Sequence, residues 1–95
     1  MYTYLLSFSN SLGTQEQVKV CLESFSNQLI WRYDMPNAFY IVSDRSAREI
    51  SEYIRGYFKN KGLFIMTEIV PLNCWGWLTD DSWYLIVNKQ IKEQQ

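Results

Sequence analysis

Leu29-Ile30-Trp31-Arg32-Tyr33-Asp34-Met35-Pro36-Asn37-Ala38-Phe39-Tyr40-Ile41-Val42-Ser43 reads as two strand-like runs, 29–33 and 38–43, around a short polar break. The runs are rich in β-branched and aromatic residues, which pack well on a pleated surface. Asp34, Pro36 and Asn37 supply turn chemistry between them. The stretch is therefore a hairpin, and what flanks it decides the fold. On the N-terminal side, Thr14 followed by Gln17 forms a capping box, and Val18, Cys21, Leu22 and Phe25 recur at helical spacing over 14–27. On the C-terminal side, Ser46-Ala47-Arg48-Glu49 is a second capping box. Ile50, Ile54, Tyr57 and Phe58 continue its apolar stripe until Gly62 stops the helix.

Further out, Tyr2 to Phe8 is an apolar and aromatic run suited to a central strand, and Leu63 to Val70 is strand-like up to Pro71. The order strand, helix, strand, strand, helix, strand is the split βαβ arrangement. It predicts an α+β, ferredoxin-like fold with a four-stranded antiparallel sheet, two helices on one face and the other face bare. One segment remains to cover that face. Thr79 followed by Asp80 and Asp81 reads as a cap and an acidic first turn, and Trp83, Ile86, Val87 and Ile91 follow helical spacing. A fifth strand over 83–87 is the alternative, because Trp-Tyr-Leu-Ile-Val has high β propensity, but the cap favours the helix. Residues 1–91 form a single domain on this reading, and 92–95 a polar tail.

The 95 residues carry a net charge of -1 and no histidine, which excludes Ser-His triads, His general acid/base chemistry and His-ligated metals. A slightly acidic chain lacks the global positive field that carries phosphate binding, so a nucleic-acid site must be local. Cys21 and Cys74 belong to no CxxC pair and read as reduced thiols. No apolar run spans a bilayer and no secretory signal is visible, so the expected location is cytoplasmic, with no membrane partner.

The aromatic fraction of 17% is high, and three of the four tryptophans fall in Cys74-Trp75-Gly76-Trp77-Leu78-Thr79-Asp80-Asp81-Ser82-Trp83. Indoles so concentrated must pack on the sheet or close an interface. Trp31, Trp75, Trp77 and Trp83 are the candidate protein interface, and with the bare sheet face they predict a homodimer. Positive charge concentrates at the second helix, where Arg45, Arg48, Arg55 and Lys59 are the candidate contacts to nucleic acid or an acidic partner. Glu52 interrupts their stripe with helical ion pairs. A protein partner is favoured over nucleic acid. Asp34, Asp44 and the Asp80-Asp81 pair, helped by Glu68, are the carboxylates available to a metal, but turns and helix starts favour aspartate without one.

Tyr4 to Phe8, Trp31-Arg32-Tyr33, Phe39 to Asp44, Ser46 to Ile50 and Gly76-Trp77-Leu78 before Asp81-Ser82-Trp83 resemble the SinR-like proteins. These small ferredoxin-like proteins are similar in turn to the VapD toxins and to the dimeric endonuclease-like subunit of CRISPR adaptation. The resemblance implies the fold and a prokaryotic or phage defence or toxin setting. It also implies an aspartate at the end of the first strand, where two protomers bring paired carboxylates to a metal. Here that stretch is Phe8-Ser9, and serine is a poor anionic ligand. The expectation is a non-catalytic, dimeric interaction module with no cofactor and no catalytic or metal residues. The alternatives are a metal-dependent ribonuclease or DNase using Mg2+ or Mn2+, and a local nucleic-acid-binding module.

Overall fold

Alternation along Tyr2–Phe8 (β1) sends Tyr4, Leu6 and Phe8 to one face of the sheet and Thr3 and Leu5 to the other, and each set meets a different layer. The structure is a computed structural model and describes residues 1–92. After β1 come Gln15–Phe25 (α1), Ile30–Arg32 (β2), Ala38–Ser43 (β3), Ala47–Tyr57 (α2), Phe64–Glu68 (β4), a 3-10 turn at Pro71–Asn73, and Asp80–Asn88 (α3). The four strands lie in the order β2-β3-β1-β4, with every neighbouring pair antiparallel. Each of the two crossovers, through α1 and through α2, therefore skips one strand, as the order of elements predicts.

Both expected helix caps form. Thr14 accepts from the Gln17 backbone while the Gln17 side chain returns to the Thr14 backbone, and the Ser46 hydroxyl accepts from the Glu49 backbone. These helices lay Val18, Cys21, Leu22, Ile50 and Ile54 onto Leu6, Phe39 and Ile41 in the larger core. Several boundaries are tighter than expected. β2 is only three residues long. α2 ends at Tyr57 rather than running to Gly62, because Lys59 and Asn60 both turn left-handed, at φ 57° and 60°.

The last segment is a helix, and it covers the second sheet face within the same chain. Leu85 and Ile86 of α3 pack on Tyr40, Val42 and Ile69, with Leu5, Ile30, Leu78 and Trp83 around them. Sheet burial thus makes no demand for a second chain, and that part of the case for a homodimer falls away. α3 stops at Asn88 because Lys89 is left-handed, so Ile91 lies beyond the helix and is exposed. Of the expected polar tail, Lys92 is exposed and residues 93–95 lie outside the described residues.

Polar links fix α3 at both ends. At its start the Thr79 hydroxyl accepts from the Ser82 backbone and donates to Asp34 at 3.0 Å. Tyr40 donates to the same carboxylate at 3.2 Å, and Arg32 Nε donates to the Ser82 hydroxyl at 3.2 Å. At its end, Lys89 Nζ donates to Thr3 Oγ1 at 2.9 Å, and that fully buried hydroxyl donates to the Ile86 carbonyl at 3.3 Å.

Candidate functional site

The connector between β4 and α3 carries the most exposed large side chains of the described residues. Pro71 opens its 3-10 turn, and the chain then leaves in extended backbone at Cys74, φ -134° and ψ 121°. Extended backbone alternates its side chains, so Cys74 and Leu78 turn inward to the second core while Trp75 and Trp77 turn away from it. Trp75 is 98% exposed and Trp77 99%, and Leu72 on the preceding turn is 100% exposed. The two indoles thus lie almost fully exposed on one short segment, two residues apart in sequence. Below it, Pro71, Cys74, Trp75, Gly76, Trp83 and Val87 line an open cavity of about 340 Å³.

The four candidate interface tryptophans are thus separated into two kinds. Trp75 and Trp77 face solvent, whereas Trp31 and Trp83 are partly buried. Trp31 stacks on Tyr33 at 5.9 Å between ring centroids and meets Phe39 edge-on at 5.6 Å, as part of the larger core. Trp83 packs against the smaller core. Leu72 was not singled out by sequence, although an apolar residue directly after Pro71, where the strand has ended, is a legible signal of exposure.

The candidate cations are likewise divided. Arg45 pairs with Glu49 at 3.0 Å and approaches Asp44 at 3.8 Å, and Arg48 pairs with Glu52 at 3.2 Å. Hydrogen bonding from Arg45 holds the Glu49 carboxyl below its usual range. Arg55 and Lys59 have no ion pair among the described residues. The expected positive stripe is therefore half neutralised along its own helix.

The carboxylates are dispersed. Asp80 and Asp81 occupy the first turn of α3, Asp44 lies beside Arg45, and Glu68 ends β4. No group of three metal-ligating side chains forms among the described residues. Asp34 serves the fold by anchoring the start of α3. Burial pushes its pKa up, but hydrogen bonds from Ser82, Thr79 and Tyr40 outweigh this and hold it below the ordinary value. Ser9 follows β1 directly, and its hydroxyl contacts Ser11 and the Leu63 backbone, which ties the turn to the start of β4. Burial pushes the Cys21 thiol up to about 12, which keeps it protonated and unreactive.

The Asp34 network makes a pH prediction. A carboxyl whose pKa is lower in the folded chain contributes stability above its unfolded value, about 3.9, and loses it as pH falls through the folded value. Asp34→Asn is expected to lower the urea midpoint at pH 7, and the gap to the parent chain should close as pH falls below about 4. A gap of constant size across that range would remove the charge from the account.

No protein-family model, curated protein or solved structure matches the chain. No helix among the described residues is long and apolar enough to cross a membrane.

Proposed function

We propose that the chain is a non-catalytic protein-interaction module whose contact surface is the connector carrying Leu72, Trp75 and Trp77. The observation that carries this reading is the near-complete exposure of two indoles and a leucine on a short segment pinned at both ends by the smaller core. Isolated apolar side chains on a surface are ordinary, but large exposed aromatics close together in one segment lose apolar area from water when a partner covers them, and such anchors carry interfaces. The connector sits on a built support, since Cys74, Leu78 and Trp83 hold its underside. On the motif resemblance alone, the setting is a prokaryotic or phage defence or toxin system.

The nuclease alternative has less support. Ser9 replaces the strand-end aspartate and is engaged in a turn, Asp34 is engaged at the start of α3, and Asp44 faces Arg45. The nucleic-acid alternative depends on Arg45, Arg48, Arg55 and Lys59, of which the first two already face acids.

Affinity capture from native cells tests the proposal, comparing the parent chain with Trp75→Ser combined with Trp77→Ser. Both positions are almost wholly exposed, so the variant should keep its urea midpoint. It should lose the captured protein, while Arg48→Glu with Arg55→Glu should retain it, and capture should be nearly independent of salt. Capture of nucleic acid instead, falling with salt at a log-log slope near -0.7 to -0.9 per phosphate contact and abolished by the arginine variant, would overturn the reading.

A further inference from the structure

The geometry points to a second surface, separate from the connector: the outer edge of β4, which pairs with the β4 of a second copy of this chain. β4 is the terminal strand of the sheet, hydrogen-bonded only to β1 among the described residues. Ile69 donates to the Thr3 carbonyl at 2.7 Å, and the Leu63 carbonyl accepts from Ser9 at 2.9 Å. Because an antiparallel ladder alternates, odd-numbered residues from 63 to 69 turn their backbone groups to β1. Phe64, Met66 and Glu68 therefore turn theirs outward, where no strand of the described residues meets them. That edge is open to another strand.

Side chains and charge select a copy of the same strand, running antiparallel. Ile65 lies at the middle of the exposed stretch and is 66% exposed, and Leu63 just before it is 75% exposed. An antiparallel pair centred on Ile65 puts this residue opposite itself across a two-fold axis. It pairs the outward backbone groups of Phe64 with those of Met66 from the partner, in both directions. The two isoleucines form a non-hydrogen-bonded pair, in which Cα atoms lie about 4.5 Å apart and side chains are closest.

The edge is also polarised. Lys61 and Arg55 lie at its N-terminal end, lining with Gly62 and Leu63 a groove of about 400 Å³ that runs along β4 to Met66. Glu68 closes the C-terminal end, with no ion pair among the described residues. In the antiparallel register centred on Ile65, Glu68 of each protomer falls opposite Gly62 of the other, beside Lys61. As an even-numbered residue, Glu68 shares the helix-side face of β4 with Phe64 and Met66, the face on which α2 and Arg55 lie. Opposite charges meet twice in this arrangement, whereas a parallel pairing would set like ends together. The result is one continuous eight-stranded sheet across two chains, with both tryptophan connectors left free.

Light scattering on the full chain tests this, with twice the 11.4 kDa chain mass expected at micromolar concentration. Ile65→Lys places two ammonium groups at the self-paired position and should give monomers at concentrations where the parent is dimeric, with an unchanged urea midpoint after dilution to monomer. In a Cys74→Ser background, Ile65→Cys should form an intermolecular disulfide under mild oxidation, because a Cα separation near 4.5 Å lies within disulfide reach. Thr67→Cys, which faces Leu63 in this register, should crosslink far more slowly. A parent chain that is monomeric at 100-fold higher concentration, or a dimer indifferent to Ile65→Lys, would overturn the inference. A dimer dissolved by Trp75→Ser with Trp77→Ser but not by Ile65→Lys would move the homotypic contact to the connector. Failure at β4 leaves the proposed role of the connector standing.

Discussion

Gly62→Ala is expected to destabilise the fold by about 2 to 6 kcal/mol, the sum of two independent costs. The first is conformational: Gly62 has φ 83°, where a side chain is strained by about 1 to 3 kcal/mol. The second is steric. An added Cβ would overlap Leu12 Cα and lie 2.5 Å from the Leu12 nitrogen and 2.8 Å from the Ser11 carbonyl carbon. Backbone cannot swing aside as a side-chain tip can, and overpacking of this sort costs about another 1 to 3 kcal/mol. A domain of this length holds on the order of 5 to 14 kcal/mol in all, so the loss should be plain in a urea midpoint. Gly56→Ala is the contrasting control: it is helical with open space around it, and it should gain about 0.5 to 1 kcal/mol. If Gly62→Ala unfolded at the parent's midpoint, the close approach of the two loops would be wrong.

That glycine also shows what sequence can and cannot tell. Gly62 was readable as a stop after α2, but the helix ends five residues earlier, at Tyr57, with its cap at Phe58. Asn60 tolerates the left-handed region and was a local hint, while a left-handed Lys59 has no signature in its residue type. The fit of Gly62 against Leu12 joins residues fifty positions apart and is invisible to any local pattern. What was legible were the devices that act within a few residues: the Thr14 and Ser46 caps, the Thr79 cap, and the apolar and aromatic run that marks β1 as a central strand.

The candidate site divides along the same line. Trp83 and Ile86 lie three apart on a helix, so their shared burial was readable from spacing. Trp75 and Trp77 alternate with Cys74 and Leu78, and this period of two was equally present in the sequence, but nothing local said which side of the segment the protein would cover. The answer depends on where α3 docks, and docking is set by links such as Thr3 to Lys89 and Asp34 to Thr79, which join residues 86 and 45 positions apart. The ion pairs of α2 were legible for the opposite reason, since Arg48 and Glu52 stand one helical turn apart.

Leu85→Ala is expected to cost about 2 to 5 kcal/mol, and it tests whether α3 is an integral layer or a loosely held cap. Leu85 is fully buried between α3 and the sheet, so truncation removes its transfer energy and leaves a cavity. Trp83→Ala should cost less, because that ring is only partly buried. Every residue of β3 is buried, with Phe39 and Ile41 in the larger core and Tyr40 and Val42 in the smaller, so loosening α3 weakens the strand on which both cores depend. Unfolding of the variant should therefore remain one cooperative transition at a lower urea midpoint, by fluorescence and circular dichroism alike. Because this face is closed by the chain's own helix, the cost of the substitution should be the same when measured on the monomeric Ile65→Lys background as on the parent. A cost that vanished in the monomer would mean that a second chain, rather than α3 alone, covers the face. Two separate transitions would mean that α3 detaches first, leaving Tyr40 and Val42 open to water on an intact sheet.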